Sequence, residues 1–341
     1  MYSDEDMNLA VDKGVFTEAS VTEFRSLMSS LNNAPLVDEE NFRLIGGFND
    51  IFIVIACALL LFSSLLVLNY SIDNNSWGLL VFTALSWLLA EFFVRKRRMA
   101  LPAIALLFAF IGGIFSLSVS FFDVPSDSIF LAVLALSSIA AYVHWLRFKV
   151  PITVAVGTAS AVGFLVTLTA SVFPDARDWF LVALFICGSL SFVFAMVWDS
   201  SDTSRTTRRA DVAFWLHLLS APLIIHPIFS GLGVLKGNES LSSMTLVLVL
   251  YLLMTSISIA IDRRAFMVSS LVYVIYALSS LIQTYGGVGY SFALTGVFIG
   301  GGLLLLSAYW HRVRAQLVKA LPDFVKTYIP AIKNPELGRN V

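Results

Sequence analysis

The sequence predicts an all-α fold, a polytopic transmembrane bundle of about ten helices with both termini in the cytoplasm. Three observations predict it. The 341 residues are 58% hydrophobic and only 13% charged, with a mean hydropathy of +0.84, too little charge to cover the surface of a soluble protein of this size. The apolar residues fall in ten continuous runs. The basic residues gather on one side of those runs.

A helix rises about 1.5 Å per residue, so about 20 mostly apolar residues cross a hydrocarbon core of about 30 Å. Ten segments qualify: 50–69, 77–94, 101–122, 128–146, 150–173, 178–197, 212–229, 243–261, 265–284 and 288–309. Short gaps with turn chemistry separate them, such as Asp73-Asn74-Asn75-Ser76 and Pro174-Asp175. The runs lack the alternation of barrel strands. With the N-terminus inside, 20 of the 22 lysines and arginines fall on cytoplasmic segments, and only Arg177 and Lys236 fall outside. That asymmetry fixes both the even number of spans and the orientation. Tryptophans add a check: Trp77 and Trp179 lie at outer boundaries and Trp145, Trp198 and Trp310 at inner ones, while Trp87 and Trp215 lie deeper and are expected between helices.

Three parts follow: an acidic cytoplasmic N-terminal region (1–48), the bundle (49–309) and a basic amphipathic cytoplasmic tail (310–341). The N-terminal region lacks the features of a cleavable signal peptide, so the first apolar run is expected to act as the insertion signal. Within it, Ser20 is placed to cap a short helix whose Val21, Phe24, Leu27, Met28 and Leu31 share a face, and Asp38 to cap a second ending at Gly46-Gly47. After Trp310, Val313, Leu317, Leu321, Phe324 and Tyr328 recur at helical spacing among basic residues. They predict an interfacial helix on an anionic leaflet, interrupted at Pro322.

Three basic turns look alike: Arg97-Arg98-Met99-Ala100-Leu101-Pro102, Arg147-Phe148-Lys149-Val150-Pro151 and Asp262-Arg263-Arg264-Ala265-Phe266. Each passes at once into an apolar helix. The common positive-inside pattern explains this, and a true repeat would instead mean a stack of helical hairpins of one orientation. Inverted five-helix halves are the competing layout, but residues 50–173 and 178–309 show no match. Gly296 and Gly300 form a GxxxG pair expected to pack against another helix of the same chain. Cys57 and Cys187 lie inside apolar runs without ligand spacing and read as small core residues.

Ionisable groups at membrane depth are costly and therefore functional candidates. Glu91 is four residues before Arg95, and a helical ion pair accounts for it. His144 lies near an inner boundary, within reach of water or headgroups. Asp211, beside Arg208 and Arg209, suits a helix N-cap. The segment Asp211–Pro227 stands out because it carries His217, His226 and a mid-span Pro222 that removes a backbone donor and should kink the helix. Nine residues separate the two histidines by about 13 Å and half a turn, so they cannot share a metal ion. His217 is therefore the leading candidate for a cavity-lining or proton-coupling group, with Pro222, Glu91, His144 and Asp211 as its companions. A histidine packed against a neighbouring helix is the plainer alternative.

No phosphate loop, HExxH, GxSxG or dinucleotide glycine pattern is present, so no enzyme, cofactor or metal centre is expected. No basic stretch interleaved with aromatics points to nucleic acid. At Asp211–Pro227 and again at Ala260-Ile261-Asp262-Arg263-Arg264-Ala265 the chain resembles an uncharacterised family of bacterial polytopic inner-membrane proteins. That resemblance implies a bacterial inner-membrane location and carries no activity with it. The function expected first is a secondary transporter or permease of a small, weakly charged solute built around His217; the alternative is a non-enzymatic scaffold or accessory subunit of a membrane complex. The expected contacts are the lipid bilayer and a protein partner docking on the acidic N-terminal region.

Overall fold

A computed structural model of the chain describes residues 10–31, 48–71, 75–121, 127–173, 175, 179–203, 205, 207–233, 241–286 and 289–330. No strand occurs among them. Among the described residues ten helices are long and apolar enough to cross a membrane, making the protein a multi-pass membrane protein. They are α1 (Phe48–Ser71), α2 (Ser76–Lys96), α3 (Ala100–Ser120), α4 (Asp127–Phe148), α5 (Ile152–Val172), α6 (Phe180–Ser200), α7 (Arg208–Gly231), α8 (Leu241–Ile261), α9 (Ala265–Gly286) and α10 (Ser291–Ala320). Arg177 and Lys236, the two charges expected on the far side, lie outside the described residues, as does the expected second N-terminal helix after Asp38.

The helix Glu18–Leu31 belongs to a compact unit separate from the bundle. Its cap is Thr17 rather than Ser20. The Thr17 hydroxyl accepts from the Ser20 amide at 3.1 Å, and the Ser20 hydroxyl accepts from the Thr17 amide at 3.0 Å. This reciprocal exchange satisfies two amide donors at once, as in a capping box.

In the bundle, the closest helix pairs are those joined by basic turns: α2 with α3, α4 with α5, α6 with α7, and α8 with α9. The turns share a backbone signature. Arg98, Lys149, Arg205 and Asp262 have φ of 54°, 55°, 54° and 55°, one in each turn, and no other described residue except glycine has positive φ. At the fourth turn the Arg263 amide donates to the Ser258 carbonyl at 2.9 Å and the Asp262 amide to Ile259 at 3.2 Å. This pattern closes a helix on one left-handed residue. The resemblance among the turns is thus a structural repeat, and it includes the turn at Arg205, whose sequence does not resemble the others. The architecture is a series of hairpins of one orientation, flanked by α1 and α10.

Burial follows from this arrangement. In α1, Phe52, Ile55, Leu59, Phe62 and Leu66 form an exposed stripe at helical spacing, while Cys57 and Leu61 turn inward. That is the polarity expected when the solvent is lipid. α7 packs against α5, α6 and α9 and is the most enclosed span, with half of its apolar window buried. It remains helical through both Pro222 and Pro227. Its closest approach is to α6, where Gly188 faces the Leu223 backbone. A Cβ on Gly188 would lie 2.8 Å from the Leu223 carbonyl carbon.

The stretch after Trp310 is helical and continuous with α10 to Ala320. The backbone turns extended at Leu321, before Pro322, and a short helix follows over Asp323–Lys326. Val313 and Leu317 pack against Ile259, Met267 and Trp310, whereas Phe324 and Tyr328 are exposed.

Gly188→Ala pushes a methyl group into main chain that cannot move aside, and should cost about 1–3 kcal/mol. Gly112→Ala, where a Cβ meets nothing within 4 Å, should be neutral or slightly stabilising. Thermal unfolding of both variants in detergent checks this, and equal melting temperatures would refute the close α6–α7 contact.

Candidate functional site

The ionisable groups that meet inside the bundle lie at the basic ends of α6 to α10. Asp199, in the last turn of α6, is 1% exposed. Its Oδ1 accepts from Arg263 Nη2 at 2.8 Å, and its Oδ2 accepts from Arg205 Nη2 at 3.4 Å. Arg263 also donates to the Ala210 carbonyl at the start of α7, at 3.1 Å. Arg205 reaches the fourth turn, donating to Asp262 Oδ2 at 3.1 Å and to the Ile261 carbonyl at 2.9 Å. Trp310 Nε1 donates to Asp262 Oδ1 at 2.7 Å, and Arg314 Nη2 donates to the Pro330 carbonyl at 2.7 Å. Two carboxylates and three guanidiniums therefore join the third turn, the fourth turn and α10.

The local sequence explains the placement. The left-handed residues Arg205 and Asp262 reverse the chain within a few residues, which brings their side chains together beneath the helix ends. Asp202 fixes the start of α7, accepting from the Thr207 amide at 2.8 Å and hydroxyl at 2.6 Å. Thr207, whose side chain accepts from the Arg209 amide, is the N-cap of α7. Asp211, the expected cap, instead lies in the first helical turn, where its charge still suits the helix dipole. Burial, with repulsion from Arg263 and Arg314 and opposed by Asp199, pushes the Arg205 guanidinium down to about 10. It stays cationic at neutral pH.

His217 lies at this cluster and is fully buried. Its Nε2 is 3.6 Å from Asp199 Oδ2, just beyond hydrogen-bond reach. Its ring meets Phe192 edge-on at 5.5 Å between centroids, and neither ring nitrogen has a hydrogen-bond partner. The two grooves described in the bundle, of about 520 and 410 Å³, are lined by apolar residues of α2, α3 and α4 such as Leu80, Trp87, Phe110 and Leu136. Neither is lined by His217 or Asp199.

The other predicted residues stand apart from His217. Glu91 does pair with Arg95, at 3.4 Å, but its tighter partner is Arg147 across the bundle, with Nε at 2.6 Å and Nη2 at 3.0 Å. His144 does not reach solvent. It is fully buried among Trp87, Phe110 and Phe148, with Nδ1 3.3 Å from Thr153 Oγ1. Pro222 is inside α7, next in sequence to Leu223, whose backbone faces Gly188 of α6. His226 bonds Tyr273 at 2.6 Å. Gly296 and Gly300 do not pack as expected: a Cβ at either would meet nothing within 4 Å among the described residues. Trp310, expected at headgroup level, is buried beneath Arg264, whose Cζ is 5.1 Å from its ring. Among the described residues no three His, Cys, Asp or Glu side chains are grouped to hold a metal ion.

Asp199, Arg205, Asp262, Arg263 and Arg314 carry the cluster, yet in sequence each reads as a span-end or loop charge. The signal that marks them is an acid inside an otherwise basic turn, as in Asp262-Arg263-Arg264. Comparison with protein-family models, with curated proteins and with solved structures finds no match, so the chemistry rests on the residues themselves.

Removing one member of a buried ion pair strands the other and costs about 3–5 kcal/mol. Asp199→Ala should therefore destabilise the bundle by about that amount, and adding Arg263→Met should recover part of the loss. Unfolding of the single and double variants in detergent measures the coupling, and strictly additive losses would rule it out.

Proposed function

We propose that this chain is a non-enzymatic scaffold or accessory subunit of a membrane complex. It is a multi-pass protein of a bacterial inner membrane with both termini in the cytoplasm. Its contacts are the bilayer and a protein partner held by the acidic N-terminal region. One observation carries this reading: among the described residues, the ionisable groups that meet inside the bundle are spent on one another. Asp199 is held by Arg263 and Arg205, Asp262 by Arg205 and Trp310, and His217 is sealed behind them with no exposed surface. Groups that bind a solute or pass a proton need an aqueous face, whereas groups that fix helix ends need the closure found here. The charge asymmetry of the turns supports the orientation, and the resemblance at Asp211–Pro227 supports the bacterial membrane.

A second reading, a permease of a small, weakly charged solute, draws on one feature. His217 has no hydrogen-bond partner yet lies 3.6 Å from a buried carboxylate. Liposomes containing the purified protein and a pH-sensitive dye separate the two readings. Under an imposed pH gradient, proton leak should equal that of empty liposomes for both wild type and His217→Ala. A leak well above empty liposomes that vanishes in His217→Ala would overturn the scaffold reading in favour of the permease. In native membranes, removing residues 1–41 should abolish a cross-linked complex while the bundle stays inserted.

A further inference from the structure

The four basic turns differ in how their charge is balanced. Around the third and fourth turns, Arg205, Arg208, Arg209, Arg263 and Arg264 face Asp199, Asp202, Asp211 and Asp262, five basic residues to four acidic. Around the first and second, Arg95, Lys96, Arg97, Arg98, Arg147 and Lys149 face Glu91 alone, six to one. All six are exposed. Glu91 binds Arg147 in a bidentate pair and Arg95 at 3.4 Å. It thereby clamps the end of α2 to the end of α4 and holds the two turns side by side. Among the described residues no carboxylate reaches Lys96, Arg97, Arg98 or Lys149.

Two further features belong to this corner. Arg98 and Lys149 occupy the left-handed positions of their turns, where a long side chain is disfavoured and glycine is the usual choice. Basic side chains are thus kept at the tips at a conformational cost. Aromatic rings flank them: Lys149 Nζ is 5.3 Å from the Trp145 ring and Arg97 Cζ is 5.7 Å from the Phe92 ring. An indole such as that of Trp145 suits the boundary between hydrocarbon and headgroups. An unbalanced excess of five positive charges at that level requires counter-anions, and the anions concentrated there are lipid phosphates.

We propose that the first and second basic turns form one binding site for anionic phospholipid headgroups, best matched by the two-phosphate headgroup of diphosphatidylglycerol. The clamp at Glu91 presents one left-handed basic residue from each turn, one toward each phosphate. Lys96 and Arg97 complete the positive surface. The proposal does not depend on which leaflet the turns face, nor on the scaffold reading.

The test is native mass spectrometry of the full-length protein in detergent, titrated in turn with diphosphatidylglycerol, phosphatidylglycerol, phosphatidylcholine and inorganic phosphate. Diphosphatidylglycerol should be retained most tightly, phosphatidylglycerol less so, and phosphatidylcholine and inorganic phosphate hardly at all. Each basic residue near an anionic surface is worth about a factor of five in affinity, so R97Q/R98Q/K149Q should weaken retention about a hundredfold. Arg95 and Arg147 stay in place to keep the clamp. R208Q/R209Q, at a turn balanced by its own acids, should weaken it less than about fivefold. Equal retention of phosphatidylcholine, a triple variant that binds like wild type, or an equal loss in R208Q/R209Q would each overturn the site. Phosphatidylglycerol bound as tightly as diphosphatidylglycerol would overturn the two-phosphate match, and millimolar inorganic phosphate displacing the lipid would point instead to a soluble-anion site.

Discussion

A carboxylate enclosed by apolar helices must be met by cations, and the arrangement of α6 to α10 answers that requirement at Asp199. Desolvating an ion costs several kcal/mol, recovered only with good geometry and further hydrogen bonds. Arg263 supplies both, gripping Asp199 at 2.8 Å and the first turn of α7 at 3.1 Å. Arg205 then passes the constraint to Asp262, and Asp262 passes it to Trp310. The helix ends are thereby fixed by charge where lipid provides no hydrophobic drive for one helix to prefer another. Gly188 against Leu223 performs the equivalent task further along α6 and α7, by close approach rather than charge.

The regularity of the four left-handed turns places this cluster in a wider pattern. Each hairpin closes on a single non-glycine residue near φ 55°, so successive hairpins enter the bundle with the same hand and the same end of each helix pair is aligned. The first two hairpins use their aligned ends for exposed cations, of which Glu91 holds Arg95 and Arg147. The next two use theirs for buried pairs. One backbone device supports two electrostatic solutions, and the difference lies in where aspartates were added.

The spans were legible because length and hydropathy are local properties, and the basic turns because charge asymmetry survives without structure. Glu91 with Arg95 was legible for the same reason, being four residues apart on one helix. Arg147, its stronger partner, is 56 residues away, and no local pattern announces it. A separation of 64 residues likewise hid Asp199 from Arg263, and counting Arg263 as a loop cation concealed that it points inward. His217 was singled out by depth; it is fully buried, and the carboxylate beside it lies on another helix. Gly296 and Gly300 misled because a small-residue pair reports what a helix permits, not what it touches. Trp310 was legible as an inner-end residue, but its bond to Asp262, 48 residues away, was not.

The bond between Trp310 and Asp262 sets an order on biosynthesis. The two residues are 48 positions apart, and a ribosome adding about 5–20 residues per second takes about 2–10 s to make that stretch. During that interval the fourth turn is already synthesised while its indole donor and Arg314 are not. Asp262 must wait with Arg205 alone, and the last helix arrives as the latch on a bundle otherwise complete. A nascent chain that ends before Trp310 thus holds Asp262 with its indole donor still missing.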